Sequence, residues 1–168
     1  MGNRFGWGMA GALVAVLAAP VWGAPQDTSA AAAVAVWDAA QLKKALEDIG
    51  YETKVLNATV GKEKYEFVVE KSDLKIPIGA EISGSKNYLW LTVKLADAPK
   101  NFADKGEKLG ALLKANSKVQ PCQFYITDGG ALMIALPVEN RALTNPILRR
   151  RIDFLADRVV EQKALWQE

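Results

Sequence analysis

The feature that most constrains this chain is a strict alternation of apolar residues. YEFVVE sets Tyr65, Phe67 and Val69 on one side, and LKIPIGAEI does the same with Leu74, Ile76, Ile78, Ala80 and Ile82. YLWLTVKL sets Leu89, Leu91, Val93 and Leu95 against Tyr88, Trp90, Thr92 and Lys94. A period of two is the pattern of strands with one face on a core. YETKVLNATV reads as a strand before these, GKEK as the turn after it and SGSKN as the next turn. Pro77 has no N–H for a ladder, which predicts an edge strand or a bulge.

Alternation returns in FYITDGGALMIALPV, Phe124 to Val138. Cys122, Phe124 and Ile126 face one way before Asp-Gly-Gly, and Leu132, Ile134 and Leu136 do so after it. Glycine tolerates positive φ and Asp can bond nearby backbone, so this is hairpin chemistry. A phosphate-binding loop would open a helix, whereas here a strand follows. Asp128 therefore turns the chain, and a lone carboxylate has no partner for acid–base work.

Three helices have a period near 3.6. In WDAAQLKKALEDIGY, Asp38 and Gln41 form a capping box, Trp37 and Leu42 a hydrophobic staple, and Gly50 a left-handed stop. Leu42, Ala45, Leu46 and Ile49 make the buried stripe. In FADKGEKLGALLKANSK, Phe102, Leu109, Leu112 and Leu113 share a face, and Asn116 is read as the end cap. Gly106 and Gly110 each cost about 1 kcal/mol against alanine inside a helix. Close packing on the sheet or close approach by a partner helix would account for them. Thr144 or Asn145 caps the last helix, with Pro146 in its first turn. Leu148, Ile152, Leu155, Val159 and Trp166 carry its stripe.

The predicted fold is α+β, a mostly antiparallel sheet with helices packed on one face, in the order α-β-β-β-(β)-α-β-β-α. The first residues read differently. Arg4 precedes Phe5 to Ala24, which has no charge. That is a secretory signal, with cleavage placed after Gly23. The competing reading is an uncleaved anchor, since about 20 apolar residues can span a bilayer. Residues 1–23 are thus read as a signal peptide, 24–36 as an Ala-rich linker and 37–168 as one domain. The expected location is periplasmic or extracellular.

The 168-residue chain contains no histidine and one cysteine, with a formal charge of +2. Imidazole catalysis, imidazole metal sites and thiolate zinc sites are excluded. Phosphate-backbone binding needs a denser basic surface, so nucleic acid is not a partner. Asp153, Asp157 and Glu161 recur along the last helix, with Arg149, Arg150 and Arg158 placed to pair with them. Buried Cys122 reads as inert. We predict no catalytic residue, cofactor or metal.

The other face of the predicted sheet is the candidate site. It carries Val68, Tyr88, Trp90, Tyr125, Met133 and Ala135 among Lys94, Thr92, Gln123 and Thr127. A sheet face open to water should be polar, and an apolar patch with a polar rim marks a partner surface. Coverage by the linker or a helix of the same chain is the competing reading.

LLKANSKVQPCQFYITDGGALMIALPVENRALTNPILRRRIDFLADRV is similar to the YbjN-like family, whose domain is related to the type III secretion chaperone fold. The shared pattern falls on Leu112, Leu113, Asn116, Gly129, Leu136, Pro137, Leu143 and Thr144, with Ile49-Gly50-Tyr51 before it. It covers roughly Trp37 to Trp166. The resemblance implies an α+β sandwich, often dimeric, that holds protein segments or acts in regulation, without catalytic residues. Secretion chaperones of that fold work in the cytoplasm, and the signal sequence departs from them. The expected function is an exported, non-enzymatic protein that binds a protein segment on the sheet face or edge. A homodimer is expected, with a membrane contact through an uncleaved N-terminal segment alone. The alternative is a carrier of a small apolar ligand such as a lipid, held between sheet and helices.

Overall fold

The computed structural model describes residues 35–97 and 106–167. The predicted signal, its cleavage site, most of the linker and Phe102 lie outside these residues.

Helix α1 (Ala39–Asp48) begins at Asp38, whose side chain accepts from the Gln41 amide at 2.8 Å while Gln41 accepts from the Asp38 amide at 2.9 Å. It stops at Gly50, with φ of 95°. The Tyr51 amide returns to Leu46 O and the Gly50 amide to Glu47 O, satisfying the last carbonyls. Four antiparallel strands follow: β1 (Lys54–Asn57), β2 (Lys64–Lys71), β3 (Leu74–Ile82) and β4 (Tyr88–Asp97). Helix α2 (Gly106–Val119) leads to the hairpin of β5 (Gln123–Ile126) and β6 (Ala131–Glu139). Strand β6 inserts beside β4, so the antiparallel order is β1-β2-β3-β4-β6-β5. Helices α3 (Asn145–Glu161) and α4 (Lys163–Trp166) end the fold.

One cluster makes the core. Leu42 and Leu46 of α1, Leu112 and Val119 of α2, and Leu148, Ile152 and Leu155 of α3 pack with Phe67, Ile78, Leu91, Ile134 and Leu136 of the sheet. The α+β order and the single helical layer thus agree with the alternation that predicts them.

Several local expectations need correction. The first strand spans four residues rather than ten, and Val60 lies fully out in solvent. Pro77 sits in an interior strand. It faces Val68 of β2, and the ladder to β4 starts only at Gly79, so no N–H is required of it there. A bulge between Lys94 and Ala96 puts Ala96 opposite Leu132, so that Ala96 joins the predicted Leu95 in packing against the core. Leu113 is 71% exposed and Ile126 lies half out at the sheet edge. The final helical stripe is broken at Gln162, and Trp166 belongs to α4, where its indole donates to Val159 O at 3.0 Å.

Asn116 does not cap α2, which continues to Val119. Its side chain accepts from the Phe124 amide at 2.7 Å and donates to Phe124 O at 3.3 Å. The amide group thus imitates a neighbouring strand and occupies the outer edge of β5 at its centre. A Cβ at Gly106 or Gly110 would meet nothing within 4 Å. Close packing on the sheet is therefore not the reason for these glycines.

Candidate functional site

The two faces of the sheet differ. The outer face carries alternate residues that belong to no part of the core cluster. Its register lays them out in rows across the strands. One row runs Lys64, Glu81, Trp90, Pro137, and the next runs Glu66, Gly79, Thr92, Ala135, Gln123. A third holds Lys94, Met133 and Tyr125. Alternate residues on a strand are about 7 Å apart. Two walls of large side chains thus flank a floor of small ones.

The floor is built close. Thr92 is 7% exposed and Ala135 is 1% exposed, although neither faces the helices. Thr92 Oγ1 donates to Gly79 O at 3.5 Å. A Cβ at Gly79 would lie 2.9 Å from both Thr92 Oγ1 and Lys64 Cε. Glycine is needed there because Thr92 is packed in place, while the more flexible Lys64 stem reaches toward Glu81, its ion-pair partner at 3.6 Å.

Four of the five predicted site residues form the walls. Tyr88 and Trp90 have ring centroids 6.5 Å apart, tilted by 47°. Trp90 is half-buried beside Pro137, and Tyr88 is 47% exposed. Across the floor, Tyr125 stands beside Met133. Burial pushes the Tyr125 hydroxyl above its ordinary range, and the Glu81 carboxylate adds to the rise. Val68 is on the same face but sits apart, half exposed, opposite Pro77. Pro137 is the member that the face prediction omits. Its signal was present, since Met133, Ala135 and Pro137 alternate in one strand.

Charges on this face pair with each other: Lys64 with Glu81, and Lys94 with Asp97 at 2.7 Å. The surface left for a partner is mainly aromatic and apolar, with exposed Glu139 opposite Tyr88. No three His, Cys, Asp or Glu side chains converge as a metal site among the described residues. Along α3, Asp157 pairs with Lys71 of β2 rather than with an arginine, and Glu161 pairs with Arg158. Arg149 instead donates to Ile49 O and lies 5.8 Å from the centre of the Tyr51 ring. Cys122 precedes β5, 2% exposed, and burial pushes its thiol up to about 12. Asp128 lies in the β5–β6 turn, where the Gly130 amide donates to Thr127 O and Gly130 takes a φ of 77°. The side chain that bonds backbone in that turn is Thr127, accepting from the Ala131 amide at 3.0 Å.

A second apolar site lies at the sheet edge. Leu109, Leu112, Leu113 and Asn116 of α2 face Phe124, Tyr125, Ile126 and Leu132 across a groove of about 140 Å³. That space suits a side chain and falls short of the roughly 300–1,000 Å³ of small-molecule pockets.

No family model and no curated protein matches the chain. A similar solved structure is the heterodimeric ExoU–SpcU complex from the type III secretion system of Pseudomonas aeruginosa. The match has 18% identity and a TM-score of 0.41, covering 68% of this chain and 83% of that one. Membership of the YbjN-like family is not shown, and that resemblance rests on the residues quoted for it.

Proposed function

We propose that this protein is an exported, non-enzymatic binding protein, working as a pair of copies, that holds a segment of a partner protein across the outer sheet face. One observation carries the reading. Two aromatic and apolar walls, Tyr88–Trp90–Pro137 and Met133–Tyr125, flank a floor of Gly79, Thr92 and Ala135 on the face that the core does not use. Large aromatic side chains beside a closed floor are what a bound segment needs for anchoring contacts. The paired charges Lys64–Glu81 and Lys94–Asp97 favour apolar anchors on the partner over an acidic tail.

The test is photo-crosslinking from position 90 in whole cells, with adducts identified by mass spectrometry. The expected result is an adduct to another protein, lost in the Tyr88→Ala variant. An adduct within the same chain, or no adduct with position 90 shielded from solvent quenchers, would show that the face is covered internally and would overturn the reading.

A further inference from the structure

The outer face holds one charge that its own surface does not answer. Lys54 pairs with Glu66, Lys64 with Glu81, Lys75 with Glu70 and Lys94 with Asp97. Glu139, the last residue of β6, is exposed and makes no ion pair among the described residues. Arg141, two residues further along the chain, does not pair with it either. Glu139 lies directly opposite Tyr88. Cross-strand side chains so placed have Cβ atoms about 5 Å apart, and the diagonal neighbour, here Trp90, is within reach of a long side chain at about 7–8 Å. The Tyr88 and Trp90 rings form a tilted pair, 6.5 Å apart at 47°, rather than a flat stack, so neither takes up the whole face of the other.

We infer that the corner made by Tyr88, Trp90 and Glu139 recognises a basic side chain, arginine above all, in the segment that the face holds. The inference rests on the proposed function and names the chemistry of its partner. Two aromatic rings alone would suit an apolar anchor equally well. The unanswered carboxylate beside them decides for a cation, which the negative face of an aromatic ring also attracts. Arginine fits better than lysine. Its planar guanidinium can lie on a ring while its N–H groups reach a carboxylate, and it gives up water more readily than an ammonium. An acidic residue at this corner would meet Glu139 as a like charge, so the same group that selects one partner rejects another. The register also sets the order of the segment. Pro137 and the wall of Met133 and Tyr125 follow from this corner along the strands. The basic residue therefore sits at the Tyr88 end, and apolar residues extend from it toward Met133 and Tyr125.

A random peptide library displayed on phage, panned on the purified protein and counter-screened on Tyr88→Ala, tests this. The peptides that need Tyr88 should carry an arginine or a lysine with apolar residues beside it. Exchanging that basic residue for methionine should weaken binding about tenfold, and raised salt should weaken it too. Glu139→Gln should weaken the same peptides about fivefold. Its thermal midpoint should not change, because the Glu139 side chain bonds nothing among the described residues. Glu139→Lys should turn the preference toward acidic residues. Peptides that need Tyr88 but carry no basic residue, or that bind Glu139→Gln as tightly as the natural protein, overturn the inference and leave the face as a binding site. A library that yields no peptide dependent on Tyr88 overturns the inference and the proposed function together.

Discussion

Asn140 gives the sharpest quantitative test. Its side chain is fully buried and makes three bonds: it accepts from the Trp37 amide at 3.3 Å and donates to Trp37 O at 2.8 Å and Lys86 O at 2.9 Å. It thereby ties the entry to α1 and the β3–β4 turn to the end of β6, beside Tyr88. Each such bond contributes about 0.5–1.5 kcal/mol net, so Asn140→Ala should cost about 3 kcal/mol. For a domain of this size, that lowers the thermal midpoint by roughly 10 °C. Urea unfolding should show a lower midpoint with an unchanged slope. Asn140→Asp tests the direction of the bonds. A carboxylate cannot donate to the two carbonyls, so at pH 7 this variant should be less stable than Asn140→Ala. Its folded-state pKa is raised by burial, so the missing stability should return as pH falls toward the unfolded value of about 3.9. A loss below about 1 kcal/mol for Asn140→Ala, or a pH-independent Asn140→Asp, would refute the claim that these bonds hold the junction.

Other residues give further expectations. The Cys122 thiol, titrating near 12, should react with a maleimide at pH 8 roughly a thousandfold more slowly than an unfolded thiol titrating near 9. Stability should be whole below about pH 9 and then fall by about 1.4 kcal/mol per unit as pH rises toward 12, a slope that Cys122→Ala lessens in alkaline urea melts. Asn116→Ala should cost about 2 kcal/mol through its two bonds to Phe124 and raise hydrogen exchange at the Phe124 amide. Gly79→Ala should cost about 1–3 kcal/mol in chemical denaturation, because Thr92 is packed in place and yields less readily than the Lys64 stem. Equal stability with and without that methyl would show that the floor is loose.

Alternation made the sheet legible, because a buried face repeats at every second residue and cannot shift by one without exposing the whole set. Capping chemistry made α1 and α3 legible for a similar reason, since Asp38 and Thr144 act on amides within three residues. The outer face followed from the same alternation, which placed Tyr88, Trp90, Tyr125 and Met133 together. Their division into two walls was not legible, because it depends on which rows lie opposite, and β5 goes to the sheet edge while β6, later in the chain, takes the place beside β4. For the same reason Asn140 was missed and Asn116 was read as an end cap. Their partners, Trp37 and Lys86 in one case and Phe124 in the other, are set by tertiary geometry. Pro77 misled because one residue cannot tell a whole edge strand from an interior strand whose ladder is half formed.

The side chain of Asn116 also fixes how many neighbours the sheet can accept. A sheet open on both sides can be joined on the left and the right, and each new member then presents a fresh side, so growth has no natural end. Here β1 and β5 are the outermost strands, and the middle of β5 is already occupied by an amide from its own helix. Among the described residues, no side chain is shown to occupy β1 in the same way. A strand that joins it at β1 completes it, and two sheets that meet there form a closed pair rather than the first links of a fibre.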